Sequence, residues 1–261
     1  MRKKVLALVL CAAMALSIAG CGSKSGGADS DKIKEKGTLV VGITDFEPMD
    51  YKDEAGNWVG FDADLAAEFA KELGVEVSFV EIDWDNKIME LDAGTIDCVW
   101  NGMTLTDEVK NSMECSNAYC NNAQVAIVKA DVADSYQTAE SLSALNFAVE
   151  TGSAGQEQAE EHGFNFTPVS NQAGALMEVE AGTSDGAIID SLMAAAMVGE
   201  GTSYADLTYT VSLNSEEYGV GFRKGSDLAA KLNDFLSAKY ADGTVETIAK
   251  KYGVQAALIA Q

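Results

Sequence analysis

The sequence predicts an α/β protein with two lobes, each an open, mostly parallel sheet flanked by helices. Short β-branched runs alternate with segments of helical apolar spacing, which is the pattern of parallel strands joined by helices. The alternation forms two series. The 261 − 20 = 241 residues that follow the first 20 suffice for two lobes of about 100 residues each. Ligands of such sheets bind beyond the carboxyl ends of the strands, so we expect a cleft between the lobes.

The first series begins with a β-branched strand and closes with a buried one. In the helix that follows the first strand, Asp62 is placed to cap the N-terminus and Gly74 to end the helix. The predicted elements are strand Thr38–Ile43, helix Ala63–Leu73, strand Val75–Val80, helix Lys87–Ala93 and strand Ile96–Trp100.

The second series repeats the pattern and is followed by one more strand and two helices. Its predicted elements are strands Gln124–Val128 and Asn146–Val149, helix Ser153–Glu161, strand Asn165–Val169, helix Ala173–Ala181, strand Gly186–Ile189 and helix Ser191–Val198. The last predicted elements are strand Tyr218–Phe222 and helices Asp227–Tyr240 and Val245–Tyr252.

The N-terminal segment has the order of a secretory signal. Basic residues at positions 2–4 precede an apolar run, Val5–Leu16, that is too short to span a membrane, and small residues then lead to Cys21. This ending resembles a bacterial lipoprotein signal, and the alternative is an ordinary secretory signal with a chance cysteine. We expect removal of residues 1–20, acyl chains on Cys21 that hold the protein at the outer side of the cell membrane, and a flexible tether over 21–31.

The charge balance argues against nucleic acid as a partner. The formal net charge is −23, and removal of three basic residues with the signal makes it −23 − 3 = −26. Such a chain is repelled by phosphate backbones and by anionic lipid headgroups.

The remaining cysteines form no metal-binding motif. Cys98, Cys115 and Cys120 have no CxxC spacing, and the chain has a single histidine, so we expect no metal and no cofactor. Cys98 lies in an apolar run and is expected in the core. Cys115 and Cys120 either pair or stay free, because spacing alone does not establish disulfide geometry.

Six segments occur in a characteristic order and spacing: Leu39–Gly42, Val59–Leu65, Gly94–Asp97, Gly102–Thr106, Tyr218–Gly225 and Ala241–Thr244. Over residues 32–253 the chain thereby resembles the amino-acid-binding components of bacterial ABC importers, solute-binding protein family 3. The resemblance implies a type II periplasmic-binding-protein-like fold, in which two hinge strands join lobes that close on the ligand. It places lobe 1 at 32–121 and 218–261, and lobe 2 at 122–217.

The resemblance also implies the partners. They are a small polar ligand, an amino acid, and an ABC permease with its ATPase, near which the lipid on Cys21 keeps the receptor. We expect a monomer.

The resemblance assigns the charged groups of the ligand to a strand end and a helix start. Asp190, after strand Gly186–Ile189, matches the aspartate that accepts hydrogen bonds from the ligand ammonium; the alternative is a helix N-cap. Gly152, Ser153 and Ala154 lead into a helix whose free N–H groups attract an anion, and the family places the ligand carboxylate near this turn. The alternative is a plain junction between loop and helix.

Lobe 1 supplies the other expected contacts. Asn101, Gly102 and Thr104 follow a buried strand, where the family uses the backbone at the Gly102 position and the hydroxyl at the Thr104 position. Phe46 and Trp84 resemble the aromatic walls of the ligand site, with a core position as the alternative for each. Met49 is a weaker candidate for a wall, and Trp100 is expected in the core or between the lobes.

The chain departs from the family at Val109. The family commonly has Thr-x-Glu-Arg where this chain has Thr106-Asp107-Glu108-Val109, and that arginine grips the ligand carboxylate in a bidentate fork. Loss of such a charged hydrogen bond weakens binding by about 10- to 150-fold unless it is replaced. The adjacent Lys110 is a candidate replacement, as a point charge rather than a fork.

Two other functions fit the same fold. One is an enzyme such as a small-carboxylate dehydratase; against it, His162 lies in a hydrophilic segment and no pair of nucleophile and base is apparent, so we expect no catalytic residues. The other is a ligand sensor whose closed form docks onto a membrane receptor kinase. We favour a binding protein over both.

Overall fold

The computed structural model describes residues 28–261, in which strands and helices alternate. The elements before the chain first changes sheet are α1 (Asp29–Lys36), β1 (Thr38–Ile43), β2 (Tyr51–Lys52), β3 (Trp58–Val59), α2 (Phe61–Leu73), β4 (Glu76–Glu81), α3 (Lys87–Ala93), β5 (Cys98–Thr104), α4 (Asp107–Ser112), β6 (Glu114–Cys115) and β7 (Cys120–Asn122). The later ones are β8 (Gln124–Lys129), α5 (Ala139–Leu142), β9 (Asn146–Glu150), α6 (Ala154–His162), β10 (Asn165–Val169), α7 (Gln172–Ala181), β11 (Gly186–Asp190), α8 (Ser191–Met197), β12 (Leu207–Ser212), β13 (Glu216–Phe222), α9 (Leu228–Ala241) and α10 (Thr244–Tyr252). Short 3₁₀ turns occupy Trp84–Asn86, Ala130–Ser135 and Gln255–Ala257.

Two open sheets organise these elements. The first has the strand order β4-β1-β5-β13-β6, with β7 also paired to β13, and the second has the order β10-β9-β11-β8-β12. β1 runs parallel to β4 and β5, and β9 runs parallel to β10 and β11. The sheets are mixed rather than mostly parallel, because β8, β12 and β13 pair in the antiparallel sense. β8 and β13 arrive directly from the other sheet, without the helical crossover that a parallel neighbour requires.

The chain crosses between the sheets twice, at adjacent places. Ala123 alone separates β7 from β8, and residues 213–215 separate β12 from β13. The backbone N–H of Gln124 donates to the side-chain oxygen of Asn214 at 2.7 Å, and the N–H of Leu213 donates to the carbonyl of Gln124 at 2.8 Å. The two crossings are therefore bonded to each other, and each sheet with its helices forms one lobe.

Each lobe has an aromatic core. In the first, Trp100 is fully buried and packs on Phe69, which also contacts Phe235, with ring centroids 6.2 and 5.3 Å apart. In the second, Phe147 packs on Phe164 at 5.3 Å. The expected core position of Trp100 is thus the observed one.

The flexible tether predicted over residues 21–31 extends too far toward the C-terminus, because residues 29–31 belong to a helix. Helix α1 begins at Asp29, and its Ser30 is buried and donates from its hydroxyl to Asp227 at 2.5 Å. Lys36 at the other end of α1 contacts Asp97 at 2.5 Å. Ile33 is buried and anchors this helix. It lies beyond residues 22–30, whose composition alone predicts a linker.

The first lobe differs from prediction at two further places. The strand predicted over Ile96–Trp100 runs from Cys98 to Thr104, so the polar residues after the apolar run continue the strand. Helix α2 begins at Phe61, and Asp62 does not cap it: its carboxylate accepts hydrogen bonds from the Gly102 N–H and the Tyr119 hydroxyl, both at 2.7 Å.

Cys98, Cys115 and Cys120 are all free thiols, and Cys98 is buried as expected. Within residues 28–261, no helix is long and apolar enough to cross a membrane. Cys21 and the predicted signal lie outside the described residues.

Candidate ligand-binding cleft

All nine residues expected to contact ligand line one cleft between the lobes. The cleft is bordered by Phe46, Trp84, Lys87, Asn101, Gly102, Met103, Thr104, Thr106, Glu108, Val109, Glu150, Gly152, Ser153, Ala154, Glu157, Gln172 and Asp190. They come together because β5, β9 and β11 end at this gap and α6 begins there. The lobes lie close, leaving about 20 Å³ open to a water-sized molecule, roughly the room that one water needs.

Asp190 is held at the floor of the cleft by side chains from several elements. Its carboxylate accepts hydrogen bonds from the Tyr218 hydroxyl at 2.6 Å, from the Gln124 amide at 3.1 Å, and from the Asn122 and Gln172 amides. The residue precedes α8, but its side chain makes no capping hydrogen bond to that helix. The alternative role as a side-chain N-cap is therefore wrong, and the residue borders the gap between the lobes.

Two further carboxyls lie near Asp190, that of the buried Glu150 and that of the half-buried Glu216. Glu216 accepts hydrogen bonds from Asn122, Gln124 and Thr104 at 2.6, 2.8 and 2.9 Å. Burial, and then the charge of Glu216, raises the pKa of Asp190. Burial and the charge of Asp190 raise the pKa of Glu150 to about 8. A cation entering this floor would favour the ionised forms of Asp190 and Glu150, because burial and neighbouring negative charge raise both of their pKa values.

The three amides that surround these carboxyls were not predicted from the sequence. Asn122 and Gln124 flank the first crossing between the lobes, and Gln172 opens α7. No local motif marks them, because each reaches Asp190 through the folding of a distant segment. One sequence feature could have indicated Gln124, namely a polar residue at the first position of an otherwise mainly apolar strand.

The segment of lobe 1 that follows Val99 is fixed by hydrogen bonds and close packing within the same lobe. Asn101 accepts from the Thr44 N–H at 3.0 Å and donates to Asp50 at 2.9 Å. Gly102 has φ +53°, and a Cβ there would come within 2.5 Å of the Phe46 ring, so glycine is required at this position. Since the Gly102 N–H already donates to Asp62, the backbone contact implied by the resemblance cannot come from this N–H.

The turn before α6 presents the start of a helix to the cleft. The Ser153 hydroxyl caps the helix by accepting from the Gln156 N–H at 3.2 Å, and the Gly152 N–H donates to the Gln156 side chain at 2.9 Å. Gly152 has φ +71°, and a Cβ there would lie 2.7 Å from the Asp85 carboxylate. The first N–H groups of α6, beginning with that of Ala154, have no partner inside the helix and give this edge a partial positive charge.

Comparison with known proteins decides the family. The family model of the bacterial extracellular solute-binding proteins, family 3, matches residues 39–255. The chain belongs to this family. The arginine-binding extracellular protein ArtP of Bacillus subtilis is 31% identical over 259 residues, covering 96% of this chain and 98% of ArtP.

Solved structures of family-3-like binding proteins have the same two-lobed fold. The P235GK mutant of ArgBP from T. maritima superposes with a TM-score of 0.81 at 34% identity, covering 86% of this chain and 98% of that one. An ancestral amino-acid-binding protein, AncCDT-1, described as a precursor of cyclohexadienyl dehydratase, superposes with a TM-score of 0.78 at 35% identity, covering 85% and 98%. The fold class predicted from the sequence is confirmed.

Of the three apolar side chains considered as walls of the ligand site, two border the cleft and one lies in the core. Phe46 and Trp84 border the cleft, although only 2% and 8% of their surfaces are exposed. Phe46 stands edge-on to Tyr218 at 6.3 Å. Met49 is fully buried in the core of the first lobe and does not border the cleft, so the weaker expectation for it is wrong.

The family's arginine position is an apolar wall in this chain. Val109 is 3% exposed, borders the cleft and packs with Trp84 and Met103. Lys110 is exposed and does not border this cleft; it lies on an adjoining surface groove. Lys87 borders the cleft instead, and no sequence motif marks this residue.

Proposed function

We propose that this family 3 protein is an extracytoplasmic receptor that captures an amino acid and delivers it to an ABC importer. The observation that carries the proposal is the placement of Asp190, a buried carboxylate that borders the gap between two lobes. The same cleft is bordered by the start of α6 and by the ammonium of Lys87. A free amino acid carries an ammonium and a carboxylate, and groups of opposite sign within one cleft suit that pair.

The relatives support an amino acid as the ligand. ArtP is named for arginine, and AncCDT-1 is described as amino-acid-binding. The proposed contacts are Asp190 for the ammonium; Gly152, Ser153 and Ala154 for the carboxylate; Asn101, Gly102 and Thr104 for polar contacts; and Phe46 and Trp84 for the side chain.

We further propose that the receptor is a monomer anchored by lipid on Cys21 after loss of residues 1–20. Its lobes are 32–121 with 218–261, and 122–217. The order of basic, apolar and small residues before Cys21 supports the anchor.

Binding measurements on the purified mature protein test the proposed function. Thermal unfolding is followed with each of the twenty common L-amino acids, and calorimetry is run on those that raise the Tm. We expect one or a few to bind at one site per chain, since all nine residues expected to contact ligand line one cleft. Absence of any response, together with a co-purifying compound of another class by mass spectrometry, would overturn the proposal.

A second candidate, a small-carboxylate dehydratase, is favoured by one observation. Burial leaves Glu150 in the cleft with a pKa of about 8 and with one oxygen that has no hydrogen-bond partner in the described part of the chain. A protonated carboxyl of this kind is a candidate general acid. Mass spectrometry of incubated ligand separates the two functions, because a receptor returns the ligand unchanged.

A further inference from the structure

Lys87 is a buried ammonium in the cleft without an acidic partner. The residue is 6% exposed, and no carboxylate oxygen among residues 28–261 lies within 4.0 Å of its Nζ. The Nζ donates to the carbonyl of Gly152 at 2.9 Å and to that of Trp84 at 3.3 Å. An ammonium has three donors, so one N–H remains. Burying a charge is costly unless a counter-charge accompanies it, which points to an anion that arrives with the ligand.

The position of the Lys87 ammonium indicates which kind of anion would bind beside it. The bond to Gly152 places Nζ at the turn that opens α6, beside the first N–H groups of the helix. The Trp84 ring lies 5.0 Å from Nζ on the other side. A helix start and a cation that converge on one point favour a carboxylate there.

The rest of the lining carries no competing cation. Among the residues bordering the cleft, Lys87 is the one basic side chain, whereas Asp190, Glu150, Glu108 and Glu157 are acidic. An anionic group on a ligand therefore has a single favourable place in the cleft.

We infer that Lys87 binds the α-carboxylate of the ligand together with the start of α6, in the role that the family gives to the arginine absent at Val109. The inference rests on the proposed function, since it requires a ligand with a free carboxylate. It also specifies how the ligand is recognised: an ammonium offers a point charge without the paired geometry of a guanidinium. Recognition at this end therefore depends on the negative charge rather than on a fork.

The test compares each amino acid that binds with its α-carboxamide, which has the same side chain and ammonium but no carboxylate charge. Calorimetry is run on the wild type, Lys87→Met and Lys110→Met. In the wild type we expect the free acid to bind about 10- to 100-fold more tightly than the amide, the scale of one charged hydrogen bond. In Lys87→Met that ratio should fall several-fold, toward what the start of α6 alone supplies, whereas Lys110→Met, which removes an exposed lysine that does not border the cleft, should keep the wild-type ratio.

Three results would contradict the inference. If Lys87→Met changes neither the ratio nor the two affinities, Lys87 does not bind the carboxylate. If the ratio is unchanged because acid and amide lose affinity equally, Lys87 acts only as a contact between the lobes through Gly152. Lack of binding by any amino acid to the wild type overturns the proposed function itself, and this differs visibly from a changed ratio. Should Lys87→Met not fold, as judged by circular dichroism, Lys87→Gln removes the charge, keeps a donor and carries the same expectation.

Discussion

A single carboxylate, Asp190, illustrates how this cleft is assembled from residues far apart in the chain. Its hydrogen-bond donors come from both crossings between the lobes and from the start of α7. Side-chain amides and a phenol can only donate to the carboxylate at these contacts, so they orient it without neutralising it. The group is thus fixed in place and still short of positive charge, which is the condition under which a ligand ammonium is bound strongly.

Asp190→Asn should weaken ligand binding while the protein stays folded. The substitution keeps the size but removes the charge that faces the ligand ammonium, and it sets an amide against amide donors. Loss of one partner in a buried charged pair typically costs about 2–5 kcal/mol, so calorimetry should show a loss of affinity of at least about tenfold. Asp206→Asn, an exposed aspartate, is the matched control and should bind as the wild type does. Unchanged affinity in Asp190→Asn would remove Asp190 from the ligand site.

At the scale of the elements, the ends of adjacent strands bring acids together. β9 ends at Glu150 and β11, its parallel neighbour, ends at Asp190, so both carboxyls lie at the same edge of the second sheet. The strands and the helix start at this edge are predictable from local spacing, whereas the nine expected ligand contacts come from the family resemblance. Lys87, Gln172 and Glu216 are not predictable in this way, since long-range pairing and the closeness of the lobes bring them to the cleft.

These paired acids should make the stability of the unliganded protein fall as the pH rises. Glu150 has a pKa of about 8 in the folded protein against an ordinary glutamate value of 4.5, so between these pH values the folded state holds a proton that the unfolded state has released. Its contribution to stability is complete below about pH 4.5 and is lost as the pH rises through about 8. The free energy of unfolding should therefore decline between pH 5 and 8, by up to about 1.4 kcal/mol per pH unit for each such group.

Urea unfolding at pH 5, 6.5 and 8 measures this slope. Glu150→Gln cannot titrate and should show a smaller decline than the wild type, whereas Glu200→Gln, at an exposed position, should reproduce the wild-type slope. Asp190 and Asp62, whose pKa values are also raised by burial, titrate in both variants, so the difference between the two variants measures Glu150 together with its interaction with Asp190. Equal slopes in the two variants would contradict the prediction.

At the scale of the whole molecule, the first lobe is tied to the segment that leads back toward Cys21. Arg223 contacts Asp29 of α1 at 3.2 Å and donates to the Ile96 carbonyl at 2.9 Å, and Ser30 bonds to Asp227. The sequence predicts a loose tether here because those partners lie nearly 200 residues away in the chain. The 29 − 21 = 8 peptide steps from Cys21 to Asp29 span at most about 28 Å, at about 3.5 Å each. A lipid on Cys21 would thus hold the first lobe close to the membrane, and the second lobe is covalently connected to the first through the two crossings.

Cys21→Ser should release the protein from membranes. The substituted residue cannot carry a thioether-linked lipid, and the strongly acidic chain, with a net charge of −23, has no electrostatic attraction to anionic headgroups that would retain it. After fractionation of cells, we expect the wild type in the membrane pellet and Cys21→Ser in the soluble or secreted fraction, or as a precursor that keeps its signal. Cys11→Ser is the matched control, because that cysteine lies within the predicted signal and should leave anchoring unchanged. A Cys21→Ser protein that loses its signal and still sediments with membranes would show that the chain is held there by something other than this lipid.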